Sequence, residues 1–247
     1  MSTSSFSRRG FLKLAGGAAA STLVAACGST IKISSTKPGS GSESTSASGV
    51  TEHPTAEIAW KLLQEGNQRY ALSKTTRPNQ SDTRRAELAK GQAPFAIIFG
   101  CVDSRVPPEI VFDRGLGDLF VVRTAGHTLD RAALGSIQFG VEELHIPLIV
   151  VMGHEKCGAV SAAIESVEKN TRAPDAIDTL VQAIKPAIEK SKSQPGDKLD
   201  NAVKANTVLT VEALKANTIL SGEIKQGKLM IVGMRYDLDT GAVELIG

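Results

Sequence analysis

Two short segments, Cys101-Val-Asp-Ser-Arg105 and His154-Glu-Lys-Cys157, hold the residues with which this chain can do chemistry. They offer two thiols and one imidazole, ligands of the kind zinc takes, with an Asp–Arg couple just past the first thiol. A structural zinc is normally closed by four Cys or His side chains, whereas a catalytic one keeps a position for water. Ligation by Cys101, His154 and Cys157 stops at three and favours catalysis, with one Zn2+ per chain. Such a site lowers the pKa of its water towards roughly 7. Two thiolates cancel the ion's formal charge, so an attacking hydroxide needs further help. Asp103 can supply it by accepting the water's proton in a hydrogen bond, held in place by a bidentate Arg105. Taken singly, each residue has a plainer explanation. An Asp and an Arg two apart are usually a surface ion pair, and a lone histidine can be a satisfied core residue. A cysteine ending a strand is commonly a small buried hydrophobe. The functional reading rests on their joint occurrence.

The surrounding pattern says what must position these groups. Four short apolar, β-branched runs, at 96–99, 119–122, 148–152 and 229–232, lack clean alternation, as expected of strands buried on both faces. Helical stretches lie between them at 130–145, 157–169, 174–192 and 197–221. A further helix near the start of the domain has Pro54 in its first turn and Ile58, Trp60, Leu62, Leu63 and Tyr70 as its apolar stripe. Strands separated by helices predict an α/β fold, a parallel sheet of about four strands flanked by helices with an N-terminal helical arm. Both ligand segments directly follow strands, where open α/β sheets bind their ligands. Gly100, Gly153 and Gly158 flank the ligands and would let backbone pass close to the site.

Composition narrows the function classes. Of 247 residues, 41% are hydrophobic and 22% charged, the balance of a globular protein, and aromatics at 4% argue against a base-stacking surface. The 28 basic residues less Arg8, Arg9 and Lys13 leave 25 after Cys27 against 26 acidic ones, so no electrostatic case exists for nucleic acid. Residues 1–26 form a targeting segment. Ser7-Arg8-Arg9-Gly10-Phe11-Leu12-Lys13 resembles a twin-arginine export signal, and Val24-Ala25-Ala26-Cys27 resembles a lipobox whose Cys27 is lipidated. Residues 27–50 are a Ser/Gly-rich tether and 51–247 the folded domain. The expected location is therefore extracytoplasmic, with a lipid anchor in a bacterial membrane. With Cys27 lipidated, Cys101 and Cys157 remain, and an exported cysteine pair ordinarily suggests a disulfide. Export in the folded state would let zinc protect the thiolates first.

The motifs resemble those of the β-class carbonic anhydrases. The resemblance runs over about residues 54–245 and is carried by Cys101-Val-Asp-Ser-Arg-Val-Pro-Pro-Glu109, Gly117-Asp-Leu-Phe-Val-Val-Arg123, Gly153-His-Glu-Lys-Cys-Gly158 and Val232-Gly-Met-Arg-Tyr-Asp-Leu238. It implies reversible hydration of CO2 to bicarbonate and a proton, through a zinc-bound hydroxide on Cys101, His154 and Cys157 oriented by Asp103 and Arg105. It also implies a substrate pocket with Gln92 as hydrogen-bond donor, Phe120 and Gly158 nearby and Phe139 where an aromatic from the partner subunit is usual, in a homodimer or dimer of dimers with sites at the interface. Ile98 stands where a bicarbonate-gated branch has Trp, so an open, plant-like site is expected, and Arg123 matches an arginine of the gated pocket. Arg114 and His127 depart from the usual Gln and Asn; a capping or interface hydrogen bond is the favoured role for His127, with proton transfer as the alternative. Hydrolysis of CS2 or COS is a competing activity for this zinc geometry, and a zinc-storing surface lipoprotein a non-enzymatic one.

Overall fold

The computed structural model describes residues 53–246, so the leader and tether readings, Cys27 included, lie outside the described residues. Five strands form one sheet in the order β2-β1-β3-β4-β5. The strands are β1 (Ala96–Cys101), β2 (Leu119–Thr124), β3 (Leu148–His154), β4 (Met230–Tyr236) and β5 (Val243–Leu245). The first four are parallel, with Ile97 opposite Phe120 and Ile149, and Ile149 opposite Ile231. β5 is antiparallel to β4 and adds an edge strand to the four expected. Its three residues are too short for a periodic signal.

All of β1 and β3 is buried, as the unbroken apolar runs require of strands covered on both faces. Alternation appears in the packing. Ile97, Phe99, Ile149, Val151 and Ile231 face α4 (Arg131–Glu142), α7 (Lys198–Ala216) and α8 (Thr218–Lys225). Ala96, Ile98, Leu148, Val150 and Met152 face α1 (Ala56–Ala71) and α3 (Pro108–Val111). Each large aliphatic side chain so buried contributes about 2 kcal/mol. Beyond the strand ends, α5 (Gly158–Glu168) and α6 (Ile177–Ser191) pack with α7 around Cys101 and Cys157.

Several sequence expectations need correction. Thr55 caps α1, its hydroxyl accepting from Ile58 N, so Pro54 precedes the cap and does not sit in the first turn. The buried stripe of α1 is Ala56, Ala59, Leu63, Gly66 and Asn67, while Ile58 is exposed. Asn67 earns its burial by donating to Val111 O and Gly241 O and accepting from Val243 N, which ties α1 to α3 and β5. The stretch 197–221 is two helices, because the Asn217 side chain turns back to accept from Ile219 N and Leu220 N and starts α8. A short helix, α2 (Asp82–Leu88), buries no residue and so left no apolar pattern to read. No described helix is long and apolar enough to cross a membrane.

Candidate metal centre and active site

β1 and β3 are neighbours in parallel register, Gly100 lying opposite Met152, so their last residues, Cys101 and His154, end side by side. The chain then turns through Glu155 and Lys156, the latter in the left-handed region at φ 52°, and returns Cys157 to the same point as the N-cap of α5. The ligand atoms of Cys101, His154 and Cys157 all lie within 4.8 Å of one another, and all three residues are buried. Of the flanking glycines only Gly153 is sterically required, since a methyl there would overlap the Thr207 hydroxyl. At Gly158 a side chain would meet open space, and at Gly100 only ordinary contacts.

The donor set fits a zinc ion. The two sulfurs are 4.0 Å apart and both thiols are free. That is far beyond a disulfide's roughly 2.05 Å. It is close to the roughly 3.8 Å that two sulfurs would show at about 2.3 Å from one tetrahedral ion. His154 Nδ1 is 2.8 Å from Glu155 O and donates to it, which leaves the Nε2 lone pair free. That Nε2 is fully buried and has no hydrogen-bond partner, an orphan that a cation would satisfy. The two thiols share protons unequally. Hydrogen bonding from Cys157 holds the Cys101 pKa well below that of an ordinary thiol, helped by the backbone N–H groups of Asp103 and Gly126. The Cys157 thiol is pushed up by that same bond, by burial and by the charge of Cys101. One thiolate therefore forms readily, and a cation is needed to draw off the second proton.

Asp103 and Arg105 stand beside this cluster. Arg105 Nε donates to Asp103 Oδ1 at 2.9 Å and its terminal nitrogen to Oδ2 at 2.7 Å, while the Arg105 backbone N–H adds a third bond to Oδ1. These bonds hold the Asp103 carboxyl far below the usual carboxylate range. Asp103 Oδ2 is 3.9 Å from His154 Nε2. The same guanidinium donates to Lys156 O at 3.2 Å, so one side chain joins the loop after β1 to the loop after β3.

Other residues singled out in the sequence fall elsewhere. Gln92 is exposed in the segment before β1, at the opposite end of that strand from Cys101, and lines a cleft of about 550 Å³ with Leu62, Arg84 and Phe95. Phe120 lies opposite Ile97, four rungs before the Cys101 level, against the core. Phe139 is half exposed on α4. None of the three meets the Cys–His–Cys cluster within one chain. Arg114 packs over the Phe95 ring and donates to Leu62 O, a structural role. Arg123 donates to Cys101 O at 2.7 Å and Asp103 O at 2.6 Å, bracing the ligand loop. His127 is wholly buried and burial lowers its pKa to about 4, so it is neutral near pH 7 and a poor proton carrier. The hydrogen-bonding role is the one its surroundings support. Sequence reasoning missed Asn206, 2.9 Å from His127 Nε2; the available signal was a run of polar Asn206, Thr207 and Thr210 on the buried face of α7.

Two parallel strands of an α/β sheet end in a thiol and an imidazole, and a second thiol at the start of α5 joins them around one point, a soft donor set of the kind a metal ion takes. A family model described as Carbonic anhydrase matches residues 96–243. The chain is 45% identical over 188 residues to Carbonic anhydrase 2 of Mycobacterium tuberculosis, covering 76% of this chain and 91% of that protein. It is 41% identical, with the same coverage, to the Carbonic anhydrase of Mycolicibacterium smegmatis. Among solved structures it resembles the Coccomyxa β-carbonic anhydrase in complex with acetazolamide, with TM-score 0.61, 26% identity and coverage of 74% and 84%. In fold it also matches one of two tetrameric β-carbonic anhydrases from Sordaria macrospora, with TM-score 0.61, 23% identity and coverage of 77% and 97%. The chain belongs to the β-class carbonic anhydrase family and is a carbonic anhydrase, a carbonate dehydratase.

Proposed function

We propose that the chain hydrates CO2 reversibly to bicarbonate and a proton at zinc held by Cys101, His154 and Cys157, with Asp103 and Arg105 as the catalytic couple. The observation that carries this reading is the buried, unpartnered His154 Nε2 facing two free thiols beside an arginine-locked carboxylate. When bound, zinc supplies Lewis acidity and an acidified water. The protein's own groups do the rest. Asp103 stays anionic under the Arg105 fork and offers Oδ2 towards the cluster, where it accepts a hydrogen bond from the reacting water and aims a lone pair at the CO2 carbon. Arg105 fixes both ligand loops in register while that happens. Fixed Asp103 and the absence of Trp at Ile98 favour the open, non-gated form.

Gln92 bears on assembly. If it donates to substrate, it does so from a second copy, because its own Cys101 is at the far end of β1. The half-exposed edge strand β2 and the exposed Phe139 give such a copy a surface to meet. A homodimer or dimer of dimers with interfacial sites is the arrangement proposed. Stopped-flow CO2 hydration by the zinc-loaded protein from about pH 6.5 to 9, the range around zinc-water ionisation, should give activity already near neutrality. Activity confined to alkaline pH would mean that Asp103 closes the site, and none at any pH would overturn the function.

Export and anchoring are proposed on the order of Arg8-Arg9, the apolar run and Cys27. Cells labelled with radioactive palmitate should incorporate it into the native chain, and Cys27→Ser should move the protein from the membrane to the soluble fraction. A membrane-bound Cys27→Ser protein would rule out lipidation at that residue.

A further inference from the structure

Beneath the metal cluster lies a buried polar group that the catalytic couple does not use. Asn206, on the inner face of α7, points both of its amide hydrogens at one turn. Nδ2 is 2.9 Å from Gly126 O and 2.9 Å from His127 Nε2. The turn it grips joins β2 to α4 and contains two consecutive left-handed residues, Gly126 at φ 63° and His127 at φ 43°. For an imidazole-bearing residue that conformation is strained. His127 is also fully buried, with Nδ1 lacking any partner, a further penalty on the same residue. Two penalties on one residue persist only where the surroundings over-determine the conformation. The surroundings here are Asn206, the Thr207 hydroxyl 3.3 Å from Nε2, the edge-on Phe99 ring and Gly153, where an added side chain would meet Cε1. From the other side Ile184 and Ala159 crowd Gly126 so closely that a side chain there would overlap Ile184.

What the strained turn presents to the site is one backbone N–H. Gly126 N donates to Cys101 Sγ at 3.3 Å. A thiolate that accepts an N–H gives less charge to a cation it holds, and such outer contacts tune a metal's acidity. This matters in a centre whose two thiolates already neutralise a divalent ion. We propose that Asn206 and His127 are positioning residues that hold the Gly126 amide on the Cys101 sulfur and so preserve the acidity of the bound metal. The inference rests on the zinc reading above. Neither side chain touches substrate; both act through the 125–127 turn.

Cobalt(II) substitution tests it, because sulfur-to-cobalt charge-transfer bands report the electron richness of the thiolates. Asn206→Leu removes both amide bonds at similar volume. Its charge-transfer band should move to lower energy, and CO2 hydration by the zinc form should fall roughly tenfold at pH 7 and recover by pH 9. In case that variant does not fold, His127→Asn serves as the second, since asparagine tolerates a left-handed backbone. It keeps the Asn206–Gly126 bond and should shift the band the same way by a smaller amount. Leu220→Ala, a core truncation in α8, which makes no hydrogen bond to the turn, should lower Tm without moving the band. An Asn206→Leu protein with lowered Tm but native band and native pH profile would overturn the proposal and leave Asn206 merely structural. If the wild-type cobalt protein showed no thiolate bands, the metal reading itself would fall, and this inference with it.

Discussion

Cys157→Ser protein is expected to carry less than a tenth of the wild-type zinc and to hydrate CO2 at background rate, with its fold intact. Cys157 is 1% exposed and its thiol is one of three donors around a single point. A serine hydroxyl does not ionise near neutrality, so the substitution removes a ligand and its charge together. Loss of an outer partner alone costs about 10–100-fold in affinity or activity, and loss of a ligand should exceed that. The same position makes the test clean for stability. Cys157 is the N-cap of α5 and makes no side-chain cap bond. Serine is among the preferred N-caps, a change generally worth about 1 kcal/mol in the helix's favour. Metal analysis, stopped flow and thermal melting on one preparation would separate these effects. Stoichiometric zinc with wild-type turnover would remove Cys157 from the metal centre.

The sequence showed more of the site than of its supports, and the reason is physical. The candidate ligands sit in short local motifs, so Cys101, His154 and Cys157 stand out by residue type and spacing, and the structure brings them together. The strands were read too short, because Gly100, Cys101, Gly153 and His154 are not β-formers, yet they extend β1 and β3 through ladder bonds to neighbours. Cys101 and His154 are therefore held inside the sheet's last rungs, more rigidly than loop residues would be, and Cys157 follows at the start of α5. Asn217 read as mid-helix because nothing local says that its side chain turns back as a cap. The Asn206–Gly126 contact spans 80 residues of sequence and no periodicity encodes it. Gln92, Phe120 and Phe139 were matched by motif alone, and within one chain none of them reaches the Cys–His–Cys cluster.

Asp103→Asn should keep its zinc and lose roughly 10²–10³-fold in kcat/KM, the range seen when one pre-aimed electrostatic group is removed from a reaction centre. Three donors converge on the Asp103 carboxylate, two from the Arg105 guanidinium and one from its backbone. An asparagine can answer on one oxygen only. Its amide N–H groups would face the remaining guanidinium N–H, so the fork opens and the hold on Lys156 O weakens with it. Stability should hardly change, because Arg105 is half exposed and such pairs contribute about 0–1 kcal/mol. Arg105→Lys keeps the charge without the planar fork and should cost about tenfold, as for an outer partner. Since the couple acts as a unit, adding Arg105→Lys to Asp103→Asn should cost little more than Asp103→Asn alone. Stopped flow with zinc content measured on each variant gives all three numbers. If Asp103→Asn held full zinc and stayed within twofold of wild type, the couple would be a surface ion pair, and the water would have to be aimed by some other group.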